Sequence, residues 1–206
     1  MGNDMGEIMY LQTKVINLDS RPDRWSEVTG ELARRGIFDY ERFPAIQGMS
    51  GENGCALSHY ACLKEDLTRP LLLLEDDVLF DDGWIEVFDK AVEQLPDDFD
   101  LLYLGANVKI PATRYSENLY QITGGVHCTH AILYSEQGRN NMVNYWQPGG
   151  EYKQIDHWLY MRGQALMNCF VICPMVAWQR PSYSDVRLQS FDYRGEMEEN
   201  AKNNMK

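Results

Sequence analysis

Four consecutive leucines followed by three acidic residues, at positions 71–78 (LLLLEDDV), constrain the fold of this chain more than any other segment. A short apolar run of this kind is typical of a β-strand that is covered on both faces. Such strands lie in parallel sheets between layers of helices. Ligands of open α/β sheets bind beyond the carboxyl ends of the strands, so the three acids stand where a ligand is expected.

The rest of the first half alternates between strand and helix patterns. We expect strands at 14–18, 40–43, 71–74 and 101–104, a helix that begins at Ser20 and ends near Gly36, a second helix over 52–67, and a third that is capped by Asp81 or Asp82. Pro22 in a first turn and Gly36 after a last turn are typical helix start and stop signals. The alternation predicts an α/β fold with a mostly parallel sheet flanked by helices.

The second half is less regular. We expect strands at 119–122, 126–134 and 169–172, helices at 137–145 and 154–161, and a loop or frayed tail beyond Arg180. A chain of 206 residues suits one domain with a full hydrophobic core. We therefore predict a single domain over residues 1–206.

The charge balance excludes one class of partner. The chain has 19 lysines and arginines against 31 acidic residues, a net charge of −12. Because binding to a phosphate backbone needs an excess of cations, we predict that the protein does not bind nucleic acid. Residues 75–100 alone carry eleven carboxylates and one lysine. We expect the later acids on the solvent face of a helix and the first three at a site.

The sequence predicts neither a membrane span nor a secretory signal. Apolar runs such as the one at 70–74 are far too short to cross a bilayer, and residues 1–7 are polar and acidic. The five cysteines are odd in number and form no C-x-x-C pair. We therefore expect them to be reduced and mostly buried, without a zinc knuckle, in a cytoplasmic protein.

The acidic triplet itself predicts a cation site. Strand geometry sends Glu75 and Asp77 to one side and Asp76 to the other. Two carboxylates ~6 Å apart, at an effective dielectric constant of about 20, repel each other by roughly 3 kcal/mol. A divalent cation relieves this repulsion, and oxygen ligands suit Mg²⁺ or Mn²⁺. The alternative is a solvated acidic turn that caps the next helix.

Three segments in this order resemble glycosyltransferase family 25, which contains lipopolysaccharide-type sugar transferases and collagen galactosyltransferases. They are residues 17–25 (NLDSRPDRW), 54–59 (GCALSH) and 74–78 (LEDDV). The resemblance continues at 129–135, 155–159 and 179–186, and so covers residues 14–186. The three segments are specific together and weak apart.

This resemblance implies a GT-A-like fold, a nucleotide-sugar donor that is usually UDP-linked, a bound Mn²⁺ or Mg²⁺, and an inverting transfer. Galactose from UDP-galactose is the commonest expectation for the family. The acceptor would be a hydroxyl of a glycan, a glycolipid or a protein, and a lipid-linked acceptor would imply peripheral association with a membrane. Residues 14–105 would form the nucleotide half, 106–186 the acceptor half and 187–206 a polar tail.

For the metal, the resemblance implies Asp77 as the direct ligand, with Glu75 and Asp76 on the ribose or on metal-bound water. Glu75 stands where the family's DxD-like element has its first acid, which leaves open which acid contacts the metal. Asp185 would complete the metal or diphosphate site; the alternative is a plain loop residue.

For the donor nucleotide, the candidates lie at the ends of the predicted strands and on the second helix: Asn17, Leu18, Arg21, His59, Glu75 and Asp76. His59 can equally be a buried, hydrogen-bonded helix residue. For Arg24 we favour an exposed position at a helix start over a contact with the donor.

An inverting transfer needs a general base that takes the proton of the acceptor hydroxyl, and our candidate is Asp156. The alternative is that Asp156 caps the helix it opens. Aromatic faces suit sugar rings, and we predict His130, His157 and Trp158 in the sugar pocket. The remaining alternative for the whole chain is a catalytically inactive protein of the same fold that binds a nucleotide sugar or a partner.

Overall fold

The computed structural model describes residues 11–150, 153–184, 189–191 and 193–206. Its first half contains β1 (Gln12–Asn17), α1 (Pro22–Arg34), β2 (Glu41–Pro44), α2 (Gly51–Lys64), β3 (Leu71–Glu75), β4 (Val78–Phe80), α3 (Trp84–Val92) and β5 (Leu101–Tyr103). Its second half contains β6 (Asn107–Val108), β7 (Thr113–Arg114), β8 (Leu119–Ile122), β9 (Val126–His127), β10 (Ala131–Tyr134), α4 (Glu136–Tyr145), α5 (Ile155–Trp158), α6 (Gln164–Leu166), β11 (Cys169–Ile172), β12 (Ala177–Gln179), β13 (Ser182–Ser184), β14 (Gln189–Phe191) and α7 (Arg194–Asn204). A π-helical turn, Leu159–Gly163, joins α5 to α6.

The central sheet has eight strands in the order β2-β1-β3-β10-β5-β11-β8-β7. β1 is parallel to β2 and β3, and β5 is parallel to β11. β10 runs antiparallel between β3 and β5, and β8 runs antiparallel to β11 and β7. Six of the eight strands therefore point the same way, which confirms the predicted α/β class. The carboxyl ends of β1 and β3 lie side by side at one edge of the sheet.

The leucines of β3 alternate between two hydrophobic cores, one on each face of the sheet. Leu71 and Leu73 belong to the core that includes residues of α2 and α4, and Leu72 and Leu74 to the core that includes residues of α1 and α3. All four are at most 2% exposed. Burial of each leucine contributes roughly 1.5–3 kcal/mol. This double burial holds the end of β3 at a fixed position.

Two helix starts differ from the prediction. The N-cap of α1 is Arg21 rather than Ser20, and the N-cap of α3 is Gly83, with a φ of +73°, rather than Asp81 or Asp82. Asp81 instead accepts a hydrogen bond of 2.8 Å from the Trp178 indole, and Asp82 pairs with Arg35. The two carboxylates that we expected at the N-cap instead bind side chains of other elements.

Two parts of the second half also differ. The strand predicted at 126–134 is divided into β9 and β10, because Cys128 between them has a φ of +86°. The loop or frayed tail predicted beyond Arg180 is wrong for residues 182–184 and 189–191, which form β13 and β14, and for residues 194–204, which form the helix α7. This helix buries Met197, and the Asn204 side chain donates a hydrogen bond of 2.8 Å to the Val108 carbonyl of β6.

None of the helices that the structure describes has the length and apolar character needed to span a bilayer.

Candidate active site

The three acidic residues lie at the carboxyl end of β3, beside the end of β1. Glu75 is the last residue of β3 and pairs with Ile16 of β1. Asp76 and Asp77 form the turn that leads into β4. We call Glu75, Asp76 and Asp77 the acidic turn. Its three side chains have different surroundings, and these surroundings determine what each carboxylate can do.

Asp76 is buried and bonded through both oxygens. Asn17 donates a hydrogen bond of 2.7 Å to Oδ2, and Arg24 donates one of 3.0 Å to Oδ1. Arg42 in turn donates a hydrogen bond of 3.0 Å to the Asn17 Oδ1. Burial raises the pKa of Asp76, although Asn17 and Arg24 oppose the shift. Asp76 therefore fixes the acidic turn to β1 and α1. Arg24 is 9% exposed, so the exposed position favoured from the sequence is wrong.

Glu75 points to α2 and to the loop before β10. Its Oε1 accepts a hydrogen bond of 2.9 Å from the His59 Nε2 and one of 2.7 Å from the Thr129 hydroxyl. Its backbone N–H donates to the His130 carbonyl at 2.9 Å. Burial raises the pKa of Glu75, but the hydrogen bonds and the charge of His59 outweigh burial and lower that pKa to about 2. Glu75 is therefore ionised at neutral pH.

Asp77 has the opposite electrostatic character. Its Oδ1 is buried and, among the described residues, has no hydrogen-bond partner. Burial and the charges of Glu75 and Asp76 raise the pKa of Asp77 to about 7, against the opposing charges of Arg24 and Arg180. A buried carboxylate oxygen without a donor, beside an ionised carboxylate, fits a divalent cation. The oxygen atoms of the acidic turn therefore fit the divalent cation that the sequence predicts.

Arg180 holds the backbone of the acidic turn from the other side. Its backbone N–H donates a hydrogen bond of 2.7 Å to the Asp77 carbonyl. Its guanidinium donates one of 2.9 Å to the Asp76 carbonyl and pairs with Glu27 at 2.9 Å. The turn is thus attached to both β12 and α1.

Asp156 lies in the first turn of α5, whose N-cap is Gln154. Asp156 is therefore not the residue that caps its helix. Its Oδ2 lies 3.7 Å from the His127 Nδ1. The side chains of Asp156 and His127 are 38% and 35% exposed. The His127 ring stacks on Tyr160 with a centroid separation of 4.3 Å.

The charges of the acidic turn and of Asp156 act on the same thiol. Burial, followed by the charges of Glu75, Asp156 and Asp77, raises the pKa of Cys55 well above its ordinary value. The candidate base and the candidate cation site are therefore both close enough to the Cys55 thiol for their charges to act on it.

The remaining predicted residues have varied positions. Arg21 pairs with Asp23 at 2.8 Å, and the Leu18 carbonyl accepts the Arg21 backbone N–H at 2.9 Å, so both lie in the turn that follows β1. His157 is exposed. Trp158 is buried in the core against Trp146, with ring centroids 6.0 Å apart.

His130 is fully buried, and burial lowers the pKa of its imidazole. Its Nε2 would lie 2.9 Å from a Cβ added at Gly105, so the ring packs closely against the backbone after β5. Asp185 lies outside the described residues.

Four residues around the acidic turn and Asp156 are new relative to the sequence prediction: Arg42, Cys55, Thr129 and Arg180. Cys55, Thr129 and Arg180 lie inside the segments that carry the family resemblance, but the resemblance implied no role for them.

Two cavities of about 380 Å³ each lie away from the acidic turn. One is lined by Met175, Trp178 and Arg194 of the β12 and α7 region. The other is lined by Trp146, Trp158 and Arg162 near α5.

Comparison with known proteins indicates what a chain with this candidate site does. The model of glycosyltransferase family 25 (LPS biosynthesis protein) matches residues 49–137, a range that contains α2, β3 and the acidic turn. The procollagen lysyl hydroxylase and glycosyltransferase of Acanthamoeba polyphaga mimivirus is 26% identical over an alignment of 208 positions, which covers 78% of this chain and 23% of that relative. The chain thus spans about a quarter of its relative's length. Both matches confirm the resemblance to glycosyltransferase family 25 and indicate a glycosyltransferase.

Two solved structures are similar to the chain. A197 from STIV has a TM-score of 0.51 and 14% sequence identity, covering 89% of this chain and 94% of A197. The catalytic domain of Drosophila β1,4-galactosyltransferase 7 with xylobiose has a TM-score of 0.48 and 12% identity, covering 96% of this chain and 82% of that domain. The similarity to A197 shows a shared fold.

Proposed function

We propose that the chain transfers a sugar from a nucleoside-diphosphate sugar to an acceptor hydroxyl, with a divalent cation at the acidic turn. The observation that carries this proposal is the buried, unpartnered Asp77 Oδ1 beside the ionised Glu75, at the carboxyl end of β3. A UDP-linked donor and galactose as its sugar are the finer parts of the proposal, and they rest on the family resemblance.

Asp77 and Glu75 are the residues of the described chain that would hold Mn²⁺ or Mg²⁺, with Asp185 as a third candidate. When bound there, the cation would neutralise the diphosphate leaving group. The chain's own contribution is to keep the turn in place: Asn17 and Arg24 bind Asp76, and His59 and Thr129 bind Glu75. A site on two rigid strand ends loses little free energy in ordering when the donor binds.

For the donor nucleotide we assign Leu18 and Arg21 to direct contacts, because they follow β1 at the same edge of the sheet. Asn17, His59 and Asp76 contribute by holding the ends of β1 and β3.

For the acceptor, Asp156 would take the hydroxyl proton on a carboxylate oxygen as the acceptor oxygen bonds to the sugar carbon. If the acceptor attacks from the face opposite the departing diphosphate, whose bond to that carbon breaks, the configuration at the carbon inverts. His157 is exposed beside it and suits an acceptor contact. His130 and Trp158 are buried and would shape the pocket from below. The acceptor class is a glycan, a glycolipid or a protein hydroxyl, and a cytoplasmic location remains a prediction from the sequence.

The test is a donor-hydrolysis assay that measures UDP release with and without Mn²⁺. We expect metal-dependent release by the unchanged chain and its loss in Asp77→Ala. Asp97→Ala is the matched control, because Asp97 is an exposed acid of the same acidic segment. If the unchanged chain with Mn²⁺ turns over none of a panel of UDP-, GDP- and CMP-sugars with acceptors, the inactive-binder alternative replaces this proposal. Thermal-shift measurements with the same nucleotides then show whether any of them binds.

A further inference from the structure

We propose that Cys55, His59 and Glu75 form a second cation site, selective for a soft divalent ion such as Zn²⁺. The site lies beside the acidic turn and shares Glu75 with it. Binding of Zn²⁺ does not depend on the proposed function, whereas its consequence, inhibition of sugar transfer, rests on that function.

The fold places these three residues together on rigid elements. Cys55 and His59 are one turn apart on α2, so they lie on the same face of that helix. Gly54 lets α2 approach the preceding loop, because a Cβ there would lie 2.8 Å from the Ile46 carbonyl. Ser58 fixes this approach by accepting a hydrogen bond of 2.8 Å from the Ile46 N–H. Glu75 is held at the end of β3.

The distances fit a small cation. One ligand atom from each of the three residues lies within 4.8 Å of the others, and the His59 Nε2 is 2.9 Å from the Glu75 Oε1. Tetrahedral Zn²⁺ with bonds of ~2.3 Å to sulfur and ~2.0–2.1 Å to nitrogen and oxygen separates its ligands by about 3.3–3.6 Å. Shifts of about 1 Å therefore bring the three atoms to the distances that Zn²⁺ needs.

The donor chemistry distinguishes this site from the acidic turn. Thiolate, imidazole and carboxylate are the ligands of Zn²⁺, whereas Mn²⁺ and Mg²⁺ favour oxygen ligands alone. His59 is 1% exposed, and among the described residues its Nδ1 has no hydrogen-bond partner. A metal at this site would take the lone pair of Nε2, the nitrogen that faces Glu75, and would leave Nδ1 as the N–H of the neutral ring.

The charge balance also favours a cation there. When the sulfur–metal bond forms, the Cys55 thiol proton passes to solvent. A thiolate, a neutral imidazole and the Glu75 carboxylate then offset the two positive charges of Zn²⁺. Without a metal, burial of the thiol, and after it the charges of Glu75, Asp156 and Asp77, raise the pKa of Cys55. Coordination of Glu75 removes it from the Mn²⁺ or Mg²⁺ site, so Zn²⁺ is expected to compete with Mn²⁺ in the transfer reaction.

The test is a titration of the metal-free full chain with Co²⁺, which reports a thiolate ligand through a charge-transfer absorption band in the near ultraviolet. We expect the band to saturate with one bound ion and to disappear on addition of Zn²⁺. Cys55→Ser should abolish the band, and His59→Gln should weaken Co²⁺ binding at least tenfold. Cys173→Ser, a change at another partly buried cysteine, should leave the band intact.

The absence of the band in the unchanged chain, or its persistence in Cys55→Ser, would overturn the proposal. Cys55→Ser is nearly isosteric, and its melting temperature checks that the variant folds. The two proposals fail separately. If the Cys55→Ser variant loses the Co²⁺ band but still releases UDP, the result supports both the soft-cation site and the proposed transferase. A chain that shows the band but no turnover of any nucleotide sugar keeps the soft-cation site and contradicts the proposed transferase.

Discussion

The donor side and the acceptor side of the candidate active site are built differently. On the donor side, Asn17 and Arg24 hold Asp76 through buried hydrogen bonds of 2.7 and 3.0 Å. On the acceptor side, Asp156 lies 3.7 Å from His127, and both are open to solvent. From this difference we predict that the proposed donor side is preformed, whereas the proposed acceptor side gains its final geometry when an acceptor excludes water. Catalytic contacts that are long in a free enzyme commonly shorten in this way.

The largest effect that this comparison predicts is a loss of sugar transfer when Asp156, on the acceptor side, is changed. We expect Asp156→Asn to lower sugar transfer by roughly 10²–10⁴-fold, because an amide cannot take the hydroxyl proton. Binding of UDP with Mn²⁺, measured by thermal shift, should be unchanged, because Asp156 does not contact the acidic turn's anchors. Transfer at the normal rate in this variant would remove Asp156 as the base.

The next effect is on stability and belongs to the donor side. Arg24→Met leaves the Asp76 carboxylate buried without its cation, and we expect a loss of about 3–5 kcal/mol in the free energy of unfolding. Urea denaturation measures this loss. Arg21→Gln, three positions earlier and at a residue that pairs with Asp23 at the surface, is the matched control and should cost less than about 1 kcal/mol. Equal losses in the two variants would contradict a preformed, buried donor side.

A third effect concerns pH and the metal-free acidic turn. The pKa of Asp77 is raised from its ordinary 3.8 to about 7, chiefly by burial and by the charges of Glu75 and Asp76. The folded chain therefore holds this proton more tightly than the unfolded chain. The contribution to stability is complete below pH 3.8 and is lost as the pH rises to 7. Each unit of pKa difference corresponds to about 1.4 kcal/mol, so the loss is on the order of a few kcal/mol.

Two neighbours require a control in this measurement. The pKa of Glu75 is lowered from 4.5 to about 2, so its contribution is already complete above pH 4.5. Burial lowers the pKa of His130 below 6.5, which makes stability rise with pH in an overlapping range. The quantity to compare is therefore the difference between the unchanged chain and Asp77→Asn, in chelator, from pH 5 to 8. This difference should change with pH in chelator and flatten when Mn²⁺ is added; a flat difference in chelator would show that Asp77 is not perturbed.

The sequence predicted the parts of this architecture that depend on local pattern. The β3 strand and the acids at its end follow from four apolar residues between polar ones, which needs no knowledge of their partners. The burial of Arg24 could not be predicted in this way, because it depends on Asp76, which is 52 positions away in the chain. Arg24 lies in one of the segments that resemble glycosyltransferase family 25, but this resemblance does not show whether its side chain is buried or exposed.

In the second half of the chain, local sequence pattern also fails to predict parts of the backbone structure. The α7 helix buries only Met197, so its residues give no apolar periodicity, and its attachments include side-chain hydrogen bonds to β6 and an ion pair with Asp81. The antiparallel insertion of β10 between β3 and β5 likewise depends on strand pairing over long distances. The site assignments, including Asp156 as the base, remain predictions that the variants above test.

The smallest expected effect tests the role of His127 on the acceptor side. His127 lies beside Asp156 and stacks on Tyr160, so we assign it to orienting the Asp156 carboxylate. His127→Ala should lower kcat for transfer by about 3–10-fold with little change in KM for the donor, since a lost orienting contact costs on the order of 1 kcal/mol. His127→Asn, whose amide nitrogen can stand where Nδ1 stands, should recover part of this loss, and Tyr160→Phe should keep the stacking and the rate. A rise in donor KM at constant kcat would instead place His127 on the donor side, and the contrast between a fixed donor side and an open acceptor side would then no longer hold.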